Sequence, residues 1–152
     1  MKHRRQSREL ALQALYTCEA TGDRDVEAAL AYAAAEGGYG TCTRKYAAEL
    51  ATRTLAAIDE IDRLIAGHAA NWDIGRMAAT DRNVLRMAVA ELRFFPDVPF
   101  RVTIDEAVEI AKKYGTGDSG KFVNGVLDSV RKKLDHDSSE RKERGPDAVN
   151  NE

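Results

Sequence analysis

Residues 118–134 read DSGKFVNGVLDSVRKKL, and Val123, Val126, Leu127, Val130 and Leu134 follow one another at steps of three, one, three and four. Such steps place all five side chains on one stripe of a 3.6-residue helix, whereas a half-buried strand would need strict alternation. Reading outward, the same test predicts helices over 5–19 (Leu10, Ala11, Ala14, Leu15, Cys18), 25–35 (Val26, Ala29, Leu30, Ala33) and 44–66 (Ala47, Leu50, Ala51, Ile61, Ile65). Two more follow over 81–94 (Leu85, Ala88, Val89, Leu92) and 104–114 (Ile104, Ala107, Val108, Ala111), with a short helical turn around His68 to Trp72. Thr21-Gly22-Asp23, the glycines at 37, 38 and 40, Gly67, Pro96 with Pro99, and Gly115 with Gly117 punctuate these segments. Thr80 is a candidate N-cap, and Thr103 with Glu106 fits a capping box. No strand pattern competes, and helices joined by short loops pack as antiparallel neighbours, so an all-α helical bundle is expected.

The chain has 152 residues and only three prolines, enough length for one domain with a real core. Its net charge is −2, so any contact with nucleic acid must come from local charge. Cys18 and Cys42 make no disulfide framework; a reduced, cytoplasmic protein with both thiols buried is expected. No apolar run approaches the roughly 18 residues of a membrane span. Arg8, Glu9 and Gln13 interrupt what could have been a signal-peptide core. From Asp135 onward the residues are almost all charged or small, so 135–152 is expected to be a disordered tail behind a domain of residues 1–134.

Catalysis finds no foothold. His3, His68 and His136 are far apart, no His or Cys pair has metal-ligand spacing, and no metal or cofactor is expected. Residues 115–120, GTGDSG, look like a nucleotide loop, but they follow a helix and not a strand. Asp59 and Asp62 beside Arg63 read as a solvated charged face.

The positive features are two. Lys2, Arg4, Arg5 and Arg8 precede the first acidic residue, Glu9, and crowd the positive end of a helix dipole, which costs roughly 0.3–1 kcal/mol per charge. A phosphate backbone would relieve that repulsion; a frayed, solubilising start would explain it too. Arg5, Arg8, Leu12 and Tyr16 also fall in one row, cations leading to a ring, which suits a single strand or the packing of another helix or partner. The second feature is Lys121-Phe122-Val123-Asn124-Gly125. Phe122 lies roughly 100° from the centre of the buried stripe, and Gly125 costs about 1 kcal/mol relative to Ala in mid-helix. A neighbouring helix or a ligand close to the backbone would account for the glycine.

Taken together these residues resemble the NusB family. The resemblance runs from Arg4 to Leu134 and is sharpest in Asp97-Val98-Pro99-Phe100, in the stretch from Ile104 to Lys112 (IDEAVEIAK), and from Lys121 to Asp128 (KFVNGVLD). Arg4-Arg5, the stretch from Ala11 to Tyr16 (ALQALY) and that from Asn83 to Ala88 (NVLRMA) agree with it. It implies two small three-helix bundles packed together and a transcription antitermination factor that is no enzyme. The ligand implied is boxA, a short single-stranded RNA of ribosomal RNA leaders, bound together with the ribosomal small-subunit protein NusE within the RNA polymerase antitermination complex. Both monomers and homodimers occur in the family. Carried over by position, Arg4, Arg5 and Arg8 would touch phosphates, Lys121 and Phe122 would lie on the RNA-contacting turn, and Asp118 would shape its loop. Tyr16 would serve both RNA and NusE, with Asp81 and Leu85 on the side of the protein partner. Gln6 stands where the family often has Arg, which thins the basic run and gives NusE a larger share of the affinity. Two alternatives stay open: an accessory module for a ribosomal RNA-modifying enzyme, and a protein-interaction scaffold without RNA binding.

Overall fold

In a computed structural model, which describes residues 2–35, 37–69 and 73–144, the chain is built from helices with no strand among those residues. The helices are α1 (Lys2–Thr21), α2 (Val26–Ala34), α3 (Thr41–Ala56), α4 (Ile58–His68), α5 (Ala79–Phe94), α6 (Phe100–Tyr114) and α7 (Ser119–Arg144), with a 3₁₀ turn at Ile74–Arg76 before α5. α1, α2 and α3 pack as one three-helix bundle, and α5, α6 and α7 as a second. The bundles meet where α5 lies against α1 and α3, and α4 leans on α5 and α7. Leu10, Leu15 and Leu50 fill the first core; Leu85, Val89, Ile110 and Leu127 fill the second. Each is fully buried, which at about 25 cal/mol per Å² of apolar surface is the main force holding the bundles.

The expected third helix is two. Ala57 breaks it, with φ −115° and ψ 21°, although neither Gly nor Pro is present to mark the site. The reason lies in the packing. α3 presents Ala47, Leu50 and Ala51 to α1, whereas Ile61 and Ile65 of α4 belong to the core with α5 and α7, and one straight rod cannot serve both. α5 begins at Ala79 without a side-chain cap, so Thr80 is inside the helix. Arg82 Nη1 instead donates to the carbonyls of Ile74 (3.1 Å) and Met77 (2.8 Å), tying the 3₁₀ turn to α5.

The capping box at Thr103 and Glu106 does not form. α6 starts at Phe100, and the Pro99 carbonyl accepts from the Val102 and Thr103 amides. Thr103 is therefore buried one turn inside, where its hydroxyl donates to Glu91 (2.7 Å). α7 runs past Leu134 to Arg144, ten residues into the stretch expected to be disordered. Ion pairs one turn apart support it, Arg131–Asp135 and Lys133–Asp137, and His136 Nε2 lies 3.2 Å from the Glu140 carboxylate. Residues 145–152, and Trp72 of the expected turn, lie outside the described residues. Of the two cysteines, Cys18 is buried as expected and Cys42 is exposed at the start of α3. No helix among the described residues is long and apolar enough to cross a membrane.

One buried polar cluster joins the bundles. Glu91 of α5 accepts from Arg8 Nε of α1 (3.0 Å to each oxygen), the Tyr46 hydroxyl of α3 (2.6 Å) and the Thr103 hydroxyl of α6. Arg8 Nη2 adds an ion contact at 2.8 Å. Burial first, then the bond to Glu91, push the Tyr46 hydroxyl well above its usual range, so it stays a proton donor. At the other end of α1, Glu19 receives Arg82, Arg86 and Asn83 of α5, and Arg86 continues to Asp62 of α4 at 2.8 Å.

Candidate nucleic-acid interface

The first turn of α1 carries no acidic residue, and its cations spread to three sides. Arg4 lays its guanidinium over the Tyr46 ring at 3.6 Å, on the flank of α3. Arg5, one residue and roughly 100° further round, faces α6 and grips Glu106 with two bonds, Nε to Oε2 at 2.5 Å and Nη2 to Oε1 at 3.2 Å. That hydrogen bond, then the charge behind it, raise the Arg5 pKa further. Arg8 is sealed inside on Glu91. The phosphate role expected of Arg8 is thereby corrected: a strand on the surface cannot reach a guanidinium with a relative exposure of only 3%. Leu12 is buried as well, while Tyr16, at the end of the row, is half exposed.

One turn after Arg5, Glu9 turns to the same neighbour. Its carboxylate takes Lys113 Nζ (3.2 Å to each oxygen) and the Tyr114 hydroxyl (2.9 Å). α1 and α6 thus run side by side in the same direction, and long charged side chains span the seam between them. The seam leads to the end of α6, where two grooves open. One, about 310 Å³, is lined by Leu12, Gln13, Tyr16, Tyr32, Thr80 and Tyr114. The other, about 570 Å³, is lined by Met77, Ala78, Asp81, Asp118, Lys121 and Phe122 among others. The start of α5 separates them, with Thr80 on one side and Ala78 and Asp81 on the other.

The loop from Gly115 to Asp118 is shaped by Ser119, whose hydroxyl accepts from the Thr116 amide at 2.9 Å. A side chain at Gly115 would strike that hydroxyl and the Ala111 carbonyl, so the turn into α7 requires glycine. Lys121 and Asp118 are exposed, and Phe122 is a half-buried ring resting on the core with one side in the groove. Asp81 has one carboxylate oxygen, Oδ1, buried with no hydrogen-bond partner among the described residues. Gly125 is exposed, and a Cβ there would meet nothing within 4 Å, so no neighbouring helix accounts for it.

Arg5, Tyr16, Asp81, Asp118, Lys121 and Phe122 therefore border one continuous face, which runs along the α1–α6 seam to the two grooves. Arg4 sits on its far flank and Arg8 beneath it. Leu85 is fully buried in the second core and cannot face a partner, so that expectation is also corrected. Sequence reasoning did not single out Glu9, Lys113, Tyr114 or Tyr32. Glu9 is one turn from Arg5, the only hint available; nothing in the sequence places α6 beside it.

A family model described as the NusB family matches residues 5–132, from the first turn of α1 to well inside α7, and takes in the whole seam and both grooves. The chain belongs to the NusB family. A transcription antitermination protein NusB from Salinibacter ruber is 47% identical over 131 residues, covering 86% of this chain and 81% of that protein. A T. maritima NusB structure superposes with TM-score 0.78 at 41% identity, covering 85% of this chain and 90% of that one. A crystal structure of the antitermination factors NusB and NusE in complex with double-stranded RNA superposes with TM-score 0.80 at 30% identity, covering 88% and 98%. The NusB match stops at residue 132, so the charged extension of α7 to Arg144 lies beyond it.

Proposed function

We propose that this chain is a transcription antitermination factor, without catalytic activity of its own, that binds single-stranded boxA RNA together with NusE as part of an RNA polymerase antitermination complex. The observation that carries the reading is the continuous face from Arg5 to Phe122 in a NusB-family chain. A single strand needs cations for its phosphates and rings for its bases, and this face offers Arg5 and Lys121 beside Tyr16 and Phe122. Gly125, exposed at a cost of about 1 kcal/mol, adds a place where an approaching backbone meets no side chain.

The test is a fluorescence titration of labelled boxA single strand, a scrambled single strand and a boxA duplex, each with and without NusE, at two salt concentrations. The expected result is preference for the boxA single strand and a large gain in affinity when NusE is present. Equal affinity for all three RNAs, or no ternary complex, would remove the reading. The duplex arm matters because the similar NusB–NusE structure holds double-stranded RNA.

A further inference from the structure

The seam between α1 and α6 is electrically balanced. Arg5 and Lys113 are met across it by Glu106 and Glu9, in the pairs Arg5–Glu106 and Lys113–Glu9, while Lys112 lies over Gly120 of α7 and pairs with Glu109 on its own helix. This strip connects Arg5 to the grooves, where a bound strand would have to pass. A surface built only to attract a polyanion would leave its cations open to solvent. Here Arg5 and Lys113 are each countered by a carboxylate on the facing helix.

Arg5 is the clearest case. Its guanidinium side chain is about half exposed, at 48%, whereas Glu106 is nested behind it at 19%. Glu106 takes two N–H groups of one edge of the guanidinium, which is the same fork that a phosphate would take. A phosphate arriving at Arg5 must either displace the carboxylate from that edge or sit on another edge with a like charge close behind.

Resting on the RNA reading above, we infer that Glu106 is an affinity-setting residue that holds the charge of Arg5 away from RNA phosphates. It suppresses the part of binding that is blind to sequence, so that tight binding depends on bases stacked in the grooves and on the protein partner. Phosphate contacts carry no sequence information. Glu106→Gln should therefore strengthen binding to the boxA strand and to the scrambled strand by the same factor. That factor is about two- to fivefold, the range of an exposed ion pair. The log–log salt slope should steepen by up to ~0.7, the value of one phosphate contact on a single strand.

The experiment is a double-mutant cycle on the full chain, with Glu106→Gln, Arg5→Ala and the double variant titrated against both strands with NusE present. Glu60→Gln on α4, outside the seam, serves as the control for net charge. The expected result is a gain in Glu106→Gln that disappears when Arg5 is Ala and is absent in the control. Unchanged or weaker binding by Glu106→Gln overturns the inference, as does a gain that survives in the Arg5→Ala background or is matched by Glu60→Gln. If the wild-type chain binds and Glu106→Gln is no tighter, the inference fails and the RNA reading stands. If the wild type binds neither strand even with NusE, both fail.

Discussion

Replacing Arg8 by Met keeps an apolar stem in the interior but removes the cation from Glu91. The carboxylate, with 1% of its side chain exposed, would keep only the neutral hydroxyls of Tyr46 and Thr103 as donors. At 2.8 Å and an effective dielectric constant of 20 the Arg8–Glu91 attraction is about 6 kcal/mol, most of it offset by the cost of taking both charges out of water. Removing one partner forfeits the attraction and leaves the desolvation uncompensated, a loss of about 3–5 kcal/mol. That is a large share of the 5–15 kcal/mol typical of a whole domain. For a chain of this size it corresponds to a fall in Tm of about 6–20 °C. Thermal unfolding followed by circular dichroism measures it. The double variant Arg8→Met with Glu91→Gln should recover at least half of the loss, because the amide carbonyl still accepts from the two hydroxyls and bears no charge. A single variant melting within about 2 °C of the wild type would refute the reasoning, as would a double variant no more stable than the single. Where the Arg8→Met chain is folded, its RNA affinity should keep the wild-type salt slope, since the buried guanidinium touches no phosphate.

Arg5→Ala, by contrast, should weaken binding to every single strand and flatten the salt slope by only part of the ~0.7 of a full phosphate contact, because Glu106 already takes one edge of its guanidinium; an unchanged slope would take Arg5 out of the interface. Phe122→Ala should cost about 1–3 kcal/mol of RNA binding, the value of one stacked base, read by titration beside a melting curve that controls for its contact with the core. Acid stability should depend on Glu19. Burial raises its pKa, but the hydrogen bonds from Arg82 and Asn83 and the charges of Arg82 and Arg86 outweigh this and hold it below its usual value. A depressed folded-state pKa gives stability that is complete above the unfolded value of about 4.3 and is lost as pH falls through the lower, folded one. Glu19→Gln should therefore reduce the loss of Tm in that acid window, and an unaltered acid limb would exclude this role.

The helices could be read from the sequence because each buries one face, and burial of one face forces the 3.6-residue period. What could not be read was whatever depends on a second element. Ala57 interrupts a perfect stripe because the two halves of that stripe serve different bundles. Thr103 has the right neighbours for a cap, yet Pro99 already starts the helix, which frees Glu106 to reach across to Arg5. Arg8 was decipherable: it stands three, four and seven residues before Ala11, Leu12 and Leu15, so it extends the core stripe by one turn. Its charge drew attention to solvent, whereas its position pointed inward, and only the distant Glu91 makes that position tenable. Leu85 shows the same conflict, since its own periodicity put it in the core while the family resemblance put it at a partner. The seam of paired charges was invisible because residues about 100 apart in sequence form it.

Glu91 is shared by α1, α3, α5 and α6, so one carboxylate locks both bundles into a single relative orientation. The face built from the two bundles is consequently assembled before any ligand arrives. A strand that docks there meets two bundles already held in place, so less ordering of the protein backbone offsets its contacts.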